Sequence, residues 1–380
     1  MNLTIDRDVL IDNLNTISRG LPTKTPNPLL LGIKLYVTET DLFMTSSNSD
    51  ISVEVDINHP SLEIRETGEA VVPGRFFIDI VRKINSRKIN LFLTEDNILY
   101  IKVDRGEYQL KIMDPVDYPK MDYVAQDNPL ELSADDLREL IRTTSFAASQ
   151  SEKRPILTGV NFKNVDGKLI VTATDSFRLA QKTINIPDYP AFDIVVPSKS
   201  LDELNRAIDN YDETIKLYFS QNKLLAVFKN VCFQTRLLDG NFPNTNNLIL
   251  YNFPYVLKFN KDELLNVVES VSLLSPRDKD RDREITYSII KLSLKVDRVI
   301  ELSTQNQAIG GVNLQIIPTD VVANGPITIG FSSRYLLEAL RSFMSTEVTL
   351  NLTGEVRPFI IRGDDDANLT QLILPVRIED

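Results

Sequence analysis

Cysteine and histidine are nearly missing from this 380-residue chain, which has one of each, Cys232 and His59. A metal centre of the usual His/Cys type cannot be assembled from such a set. A single cysteine also cannot close an internal disulfide, and Cys232 in Val231-Cys232-Phe233 reads as a small buried hydrophobe in a strand. His59 precedes Pro60 in a polar stretch that supplies no partner for a general base. Glycine-rich phosphate loops are lacking too: no Gly-x-x-x-x-Gly-Lys-Ser/Thr occurs, and Gly310-Gly311 has the wrong spacing to cradle a phosphate. No apolar run approaches the ~18 residues of a membrane span, and the first residues lack the basic-then-apolar plan of a signal peptide, so a cytoplasmic protein with no membrane partner is expected. A composition of 42% hydrophobic and 25% charged residues suits two or three globular domains.

What the chain does have is a threefold repeat. Leu3-Thr4-Ile5-Asp6-Arg7-Asp8-Val9-Leu10, Leu130-Glu131-Leu132-Ser133-Ala134-Asp135-Asp136-Leu137 and Leu257-Lys258-Phe259-Asn260-Lys261-Asp262-Glu263-Leu264 share the form apolar-x-apolar-x-x-Asp-x-Leu, and their last leucines are each 127 residues apart. Helical stripes follow: Leu10, Leu14 and Ile17; Leu137 and Ile141; Leu264, Val268 and Val271. About half a repeat later Val72-Pro73-Gly74-Arg75-Phe76-Phe77, Val196-Pro197-Ser198-Lys199-Ser200-Leu201 and Phe331-Ser332-Ser333-Arg334-Tyr335-Leu336 again pass from strand to helix. Their stripes read Phe77, Ile80, Ile84; Leu201, Leu204, Ile208; and Leu336, Leu340, Phe343. Each places a cation, Arg75, Lys199 or Arg334, just inside the helix start, where the macrodipole disfavours it, so something else must favour it there.

Short β-branched runs lie between the helices: Ile33–Val37, Ile98–Val103, Leu169–Ala173, Leu224–Phe228 and Ile289–Leu294. Turn pairs at Asp166-Gly167, Asp239-Gly240 and Gly363-Asp364 predict antiparallel hairpins. The repeat unit is then β-α-β-β-β-α-β-β-β, an α+β domain with helices on one face of its sheet. Pro and polar residues near Tyr123–Pro129 and Asn252–Pro254 divide the chain into domains 1–125, 126–252 and 253–380. Asp364-Asp365-Asp366 at a hairpin tip reads as a solvated turn, and Ser151–Arg154 and Pro276–Glu284 read as soluble, charge-rich connections.

Several stretches then carry a resemblance. Arg154-Pro155-Ile156-Leu157-Thr158-Gly159-Val160, Thr172-Ala173-Thr174-Asp175-Ser176-Phe177-Arg178-Leu179-Ala180, Asp239-Gly240-Asn241-Phe242-Pro243 and Gln371-Leu372-Ile373-Leu374-Pro375-Val376-Arg377, together with Thr4–Arg7 and Val72–Phe77, resemble the bacterial DNA polymerase III β subunit family, the sliding clamps, over the whole chain. The resemblance implies three repeated DNA-clamp domains with antiparallel sheets outside and two helices per domain inside, closed head to tail into a dimeric ring. Twelve helices at ~8–10 Å spacing would make a circle about 35 Å across, and subtracting a helix diameter of ~10 Å leaves roughly 25 Å, enough for a DNA duplex. Such a ring would hold double-stranded DNA by topology, independent of sequence, which fits a net charge of −11 that argues against ordinary DNA binding. Cations should then gather on the inner helices: Arg75, Arg82, Lys83, Arg87 and Lys88 against the single acid Asp79, with Lys199 and Arg206, and Arg334 and Arg341, as weaker counterparts. Carried over from the family as further DNA contacts are Lys24, in the Pro-braced loop Pro22–Pro26, and Ser151 with Lys153.

The resemblance also implies a peptide-binding groove between the second and third domains, lined by Leu157, Thr174, Ser176, Phe177, Arg178, Leu179, Pro243, Leu248, Leu372, Leu374, Pro375, Val376 and Arg377. Apolar anchors of a Leu/Phe motif would fill it while Arg178 or Arg377 bonds the peptide's polar atoms. Plain core is the competing reading for Leu157, Leu179 and Leu372. Phe177 stands where the family usually has histidine and Asn247 where some members have arginine, and Glu379-Asp380 extend the chain past Arg377. The implied partners are the polymerase III alpha subunit, an ATP-dependent clamp loader and other replication and repair proteins that carry the motif. At the dimer seam the edge strand Glu107-Tyr108-Gln109-Leu110 would meet Leu273-Leu274, with Tyr108 and Leu274 as anchors. No cofactor, metal or catalytic residue is called for. A monomeric peptide-binding adaptor of the same fold and an enzyme with a carboxylate site around Asp175 or Asp364–Asp366 are the alternatives.

Overall fold

The computed structural model describes residues 1–119, 128–249, 252–275, 277–279, 286–295 and 299–377. The boundary near Tyr123 and the Glu379-Asp380 extension lie outside these residues. Six α-helices stand among them: α1 (Arg7–Ile17), α2 (Gly74–Lys83), α3 (Ala134–Thr144), α4 (Ser198–Ala207), α5 (Lys261–Ser272) and α6 (Ser333–Ser342). Two per repeat is the number that the sequence predicts.

The helix starts have local causes. Asn260 caps α5 by accepting from the Glu263 amide at 3.0 Å, and Ser133 does the same for the Asp136 amide at 3.0 Å before α3. Burying the stripes then holds the helices down: Leu10, Leu14 and Ile17 of α1 and Leu264, Val268 and Val271 of α5 are all core residues, each contributing about 1.5–3 kcal/mol relative to exposure. In α2 the stripe differs from the predicted one. Phe77, Ile78 and Val81 are buried and Ile84 follows, while Ile80 is only half-buried. The two adjacent apolar residues Phe77-Ile78 let the helix settle about one residue round from the i, i+3, i+7 reading.

The chain forms two compact units, residues 1–138 with 199–237, and residues 139–198 with 238–380. In the first unit an eight-stranded antiparallel sheet joins strands from two repeats, with Val231–Arg236 running beside Ile51–Ile57 in register Phe233↔Val53. A five-stranded sheet ends on the strand Gly106–Lys111. Helix α1 packs on α2 and on Ile51–Ile57. In the second unit a nine-stranded sheet repeats the plan, with Arg178–Asn185 paired to Leu369–Ile373 in register Leu179↔Leu372. Helices α5 and α6 pack on each other, and α5 covers the sheet formed by Thr286–Leu294, Ile300–Asn306 and Gly310–Ile316. A large apolar cluster with Phe259, Phe331, Phe343 and Phe359 fills this part of the unit.

Several predicted details change. The pattern predicts three strands between the two helices of a repeat, but among the described residues the first repeat has five, the second four (Gly159–Val165, Lys168–Thr174, Arg178–Asn185 and Phe192–Pro197) and the third six. Phe192–Pro197 leads directly into α4, the strand-to-helix passage that Val196-Pro197-Ser198 predicts. Asp166-Gly167 is a two-residue hairpin turn with φ of 51° and 71°, as predicted. Asp239-Gly240 is not a hairpin: it follows the last strand of its repeat, and the neighbouring Leu238 amide bonds Val195 O at 2.8 Å. Arg277–Lys279 is a short strand paired to Thr286–Ser288, not part of a free connection, and residues 280–285 lie outside the described set. Asp366 is not solvated either. It is buried and accepts from the Met344 and Ser345 amides at 3.0 and 2.8 Å.

Candidate functional site

In the second unit several of the residues proposed for a groove lie on or beside one strand pairing. Leu179 and Leu372 lie opposite each other and form a small buried cluster with Ile360, against which Ile249 and Phe253 pack. Leu157 is buried in the short helical turn Pro155–Thr158. Pro243 is exposed, and Leu248, 46% exposed, stands just before Ile249. Leu374, Pro375 and Val376 are half-buried and Arg377 is exposed. Two backbone bonds hang this last segment on its neighbours: the Leu374 amide donates to Phe177 O at 2.9 Å and the Val376 amide to Gly330 O at 2.7 Å. Ile360 was not legible in the sequence, because Phe359-Ile360-Ile361 is a continuous apolar run with no face marked by alternation.

The turn 174–178 joins two strands, Lys168–Thr174 and Arg178–Asn185. Ser176 takes a left-handed φ of 79°, a conformation that costs an L-residue energy unless its neighbours hold it. They do so: the Ser176 amide bonds Thr174 Oγ1 at 3.1 Å, the Phe177 and Arg178 amides bond Asp175 Oδ1 at 2.9 and 3.0 Å, and Thr174 Oγ1 donates to Arg178 O at 2.5 Å. Phe177, half-buried, packs on the core of the third repeat.

Arg178 closes this turn. Its side chain is 6% exposed, and each of its three guanidinium nitrogens bonds within the chain. Nε donates to Asp175 Oδ2 at 3.0 Å, one terminal nitrogen to Glu338 Oε2, and the other to Phe146 O at 2.6 Å. The rings of Tyr335 and Phe146 lie 4.6 and 5.3 Å away. Three of its five N–H donors are thus held within the chain. Burial raises the Asp175 carboxyl pKa above its ordinary value, although Arg178 and two amides pull the other way. For Glu338 burial is outweighed by Arg178 and Arg334, and its pKa is held low. Glu338 and Tyr335 were missed; the i, i+4 spacing of Arg334 and Glu338 on α6 was the available signal.

The cations stand where the repeat predicts. Arg75, Lys199 and Arg334 are each the second residue of α2, α4 and α6, and each is exposed. Their engagement differs. Arg75, Lys83, Lys24 and Lys199 have no ion-pair partner among the described residues. Arg82 donates to Asn15 Oδ1 at 2.8 Å, Arg206 pairs with Glu203 at 2.5 Å, Arg334 with Glu338 at 2.9 Å and Arg341 with Glu269 at 2.7 Å. The first repeat therefore offers the most available positive charge and the third the least. Ser151 accepts from the Lys153 amide at 3.4 Å in the exposed loop before Pro155.

Tyr108 is 41% exposed on Gly106–Lys111, a strand at the edge of its sheet with five of its six residues exposed. In the other unit, Leu273 at the end of α5 is 82% exposed and Leu274 half-buried. Cys232 is half-buried opposite Glu54, and burial, with Glu54 and Asp56 adding to it, pushes its thiol up to about 11. Among the described residues no group of three or more His, Cys, Asp or Glu side chains is placed to hold a metal ion. No helix among them is long and apolar enough to cross a membrane.

Three family models match in sequence: the N-terminal domain of the DNA polymerase III beta subunit over residues 1–122, the central domain over 131–244 and the C-terminal domain over 247–377. The chain is 36% identical over 383 residues to the protein named beta sliding clamp of Staphylococcus epidermidis, with 99% of each covered. Its fold is similar to the DNA polymerase sliding clamp of Bacillus subtilis, with a TM-score of 0.94, 33% identity and both chains fully covered. It is equally similar to the DNA polymerase III beta chain of Streptococcus pneumoniae, at 0.94 and 32%, with 99% of this chain and all of that one covered. By sequence and by fold, over its whole length, the chain belongs to the DNA polymerase III beta subunit family, the sliding clamps.

Proposed function

We propose that this chain is a DNA polymerase processivity factor: two copies close head to tail into a ring around duplex DNA and tether the replicative polymerase and other motif-bearing proteins through the groove beside Leu179 and Leu372. The observation that carries the reading is the match to proteins named beta sliding clamp over 99% of both chains, since a ring-forming subunit needs all three repeats. Exposed cations at the same place in α2, α4 and α6 fit weak, sequence-independent contact with phosphates, and a net charge of −11 fits an exterior that repels stray DNA.

The three repeats act as clamp domains bounded near residues 125 and 252. The exposed edge strand with Tyr108 pairs with a second copy beside Leu273 and Leu274, removing an aggregation hazard. The half-buried Leu374, Pro375 and Val376, with Phe177 and Leu248, accept a peptide's Leu and Phe anchors. The polymerase alpha subunit, an ATP-dependent loader and repair proteins compete for this groove in the cytoplasm. The chain catalyses nothing itself and needs no cofactor.

Light scattering and peptide titration test the reading. A mass of about twice 43.1 kDa, with a fluorescein-labelled peptide carrying Leu and Phe anchors bound one per chain, is expected. A 43.1 kDa species that still binds the peptide would instead make the chain a monomeric adaptor of the same fold.

A further inference from the structure

We propose that Glu338 is a positioning residue that relays the arrival of a DNA phosphate at Arg334 to the peptide groove, acting through Arg178. The inference rests on the reading given above of α6 as a DNA-facing helix and of the neighbouring groove as a peptide site.

Glu338 is shared between two cations of unlike exposure. Oε1 accepts from Arg334 Nε at 2.9 Å, and Oε2 accepts from Arg178. Arg334 is 54% exposed, whereas Arg178 is buried. A cavity of about 240 Å³ opens onto the exposed end of this pair, lined by Arg334, Glu338, Arg341 and the serines 272, 288 and 333. Its arginines and hydroxyls suit a phosphate oxygen. Beyond Arg178, the turn continues to the groove itself, because Phe177 O holds the Leu374 amide.

The chain contains its own control. The turn 47–51 in the first unit is built like the turn 174–178. Ser49 has the same φ of 79° as Ser176. The Ser49 amide bonds Ser47 Oγ at 3.3 Å, the Asp50 and Ile51 amides bond Asn48 Oδ1 at 3.1 and 2.8 Å, and Ser47 Oγ donates to Ile51 O at 3.2 Å. The Arg236 amide donates to Asp50 O at 3.0 Å, as the Leu374 amide does to Phe177 O. At the place of Arg178 this turn has the buried Ile51, and at the place of Asp175 it has Asn48. The fold therefore makes this turn without any ion pair, and the buried Arg178–Asp175–Glu338 network in the other copy serves something besides holding the turn.

A phosphate that takes up Arg334 leaves Glu338 facing Arg178 alone. The buried pair then tightens, the turn with Phe177 loses freedom, and a peptide meets a wall already ordered. Coupling of this kind is reciprocal between the two ligands.

The test uses the full-length protein, the labelled peptide and a short DNA duplex at low salt, read by fluorescence anisotropy. Saturating duplex should tighten the peptide about fivefold, the lower end of ordinary coupling between sites. Arg334→Gln should bind the peptide at the tightened level with or without duplex. Glu338→Gln should stay at the weaker level in both conditions. A merely structural Glu338 would lower Tm yet leave the ratio of the two Kd values unchanged, which overturns the relay. So does a wild-type protein that binds both ligands with no change in peptide Kd. Failure to bind the peptide or the duplex at all would instead sink the underlying reading of the site.

Discussion

Replacing Arg178 by alanine strands two carboxylates in the second unit. Asp175, with a side chain 9% exposed, loses its partner at 3.0 Å, and Glu338, 27% exposed, keeps only Arg334. Phe146 O also loses a donor at 2.6 Å. Breaking a buried pair on one side costs about 3–5 kcal/mol, because the remaining charge stays desolvated. For a unit of roughly 200 residues each kcal/mol corresponds to about 2–4 °C, so Arg178→Ala should lower the melting temperature of this unit by roughly 6–20 °C near pH 7.5. The loss should shrink on acidification. A carboxyl whose folded-state pKa is raised destabilises the fold above that pKa, and the penalty fades as the pH falls toward its unfolded value of 3.8. Without Arg178 the Asp175 pKa should rise further, so relief begins at higher pH. The pair Asp175→Asn with Arg178→Ile copies the Asn48 and Ile51 of the sibling turn and should recover most of the loss. Differential scanning fluorimetry from pH 5 to 8 reads all three proteins. A single variant within 2 °C of the parent, or a double variant no better than the single, would refute the electrostatic account.

Leu273→Arg places a charge on the most exposed apolar residue at the end of α5 and should shift the protein from dimer to monomer by light scattering while its far-ultraviolet circular dichroism stays unchanged. Cys232, with its thiol raised to about 11 by burial, should react with a disulfide reagent at pH 8 roughly 20-fold more slowly than a free cysteine, even after allowing for the greater nucleophilicity of a more basic thiolate; a rate like that of free thiol would contradict the buried setting. Asp366 is buried, yet hydrogen bonds from Ser345 and the Met344 amide hold its carboxyl below the ordinary value. Asp366→Ala should therefore cost about 1–3 kcal/mol at neutral pH. The native advantage is complete above about pH 4 and lost as the pH falls through the lowered pKa, which urea unfolding at pH 7 and pH 3 would compare.

The threefold period was plain in the sequence because each repeat needs the same Asp-x-Leu helix start and the same amphipathic stripe, and these survive divergence. The cations at residues 75, 199 and 334 were equally visible, since a charge near a helix N-terminus stands out against the macrodipole. Pair choice is a different matter. That Arg178 points inward to Glu338, 160 residues away in sequence, depends on which strands lie side by side, and no local spacing encodes it. Ile360 was hidden for the same reason: its run is apolar at every position, and only the Leu369–Ile373 strand beside it decides which face closes over Leu179 and Leu372. Asp366 looked solvated because three aspartates in a row usually are, whereas two backbone amides after α6 needed an acceptor and drew one of them inside.

A closed ring should show topological retention on DNA. The protein would be placed on a nicked circular plasmid by a clamp loader with ATP, separated from free protein by gel filtration, and the plasmid then cut once. Protein that stays on the circle in high salt and is lost within minutes of linearisation is the predicted result, since a ring grips by enclosure and screening should not free it. Release from circular and linear plasmid at the same rate would contradict it.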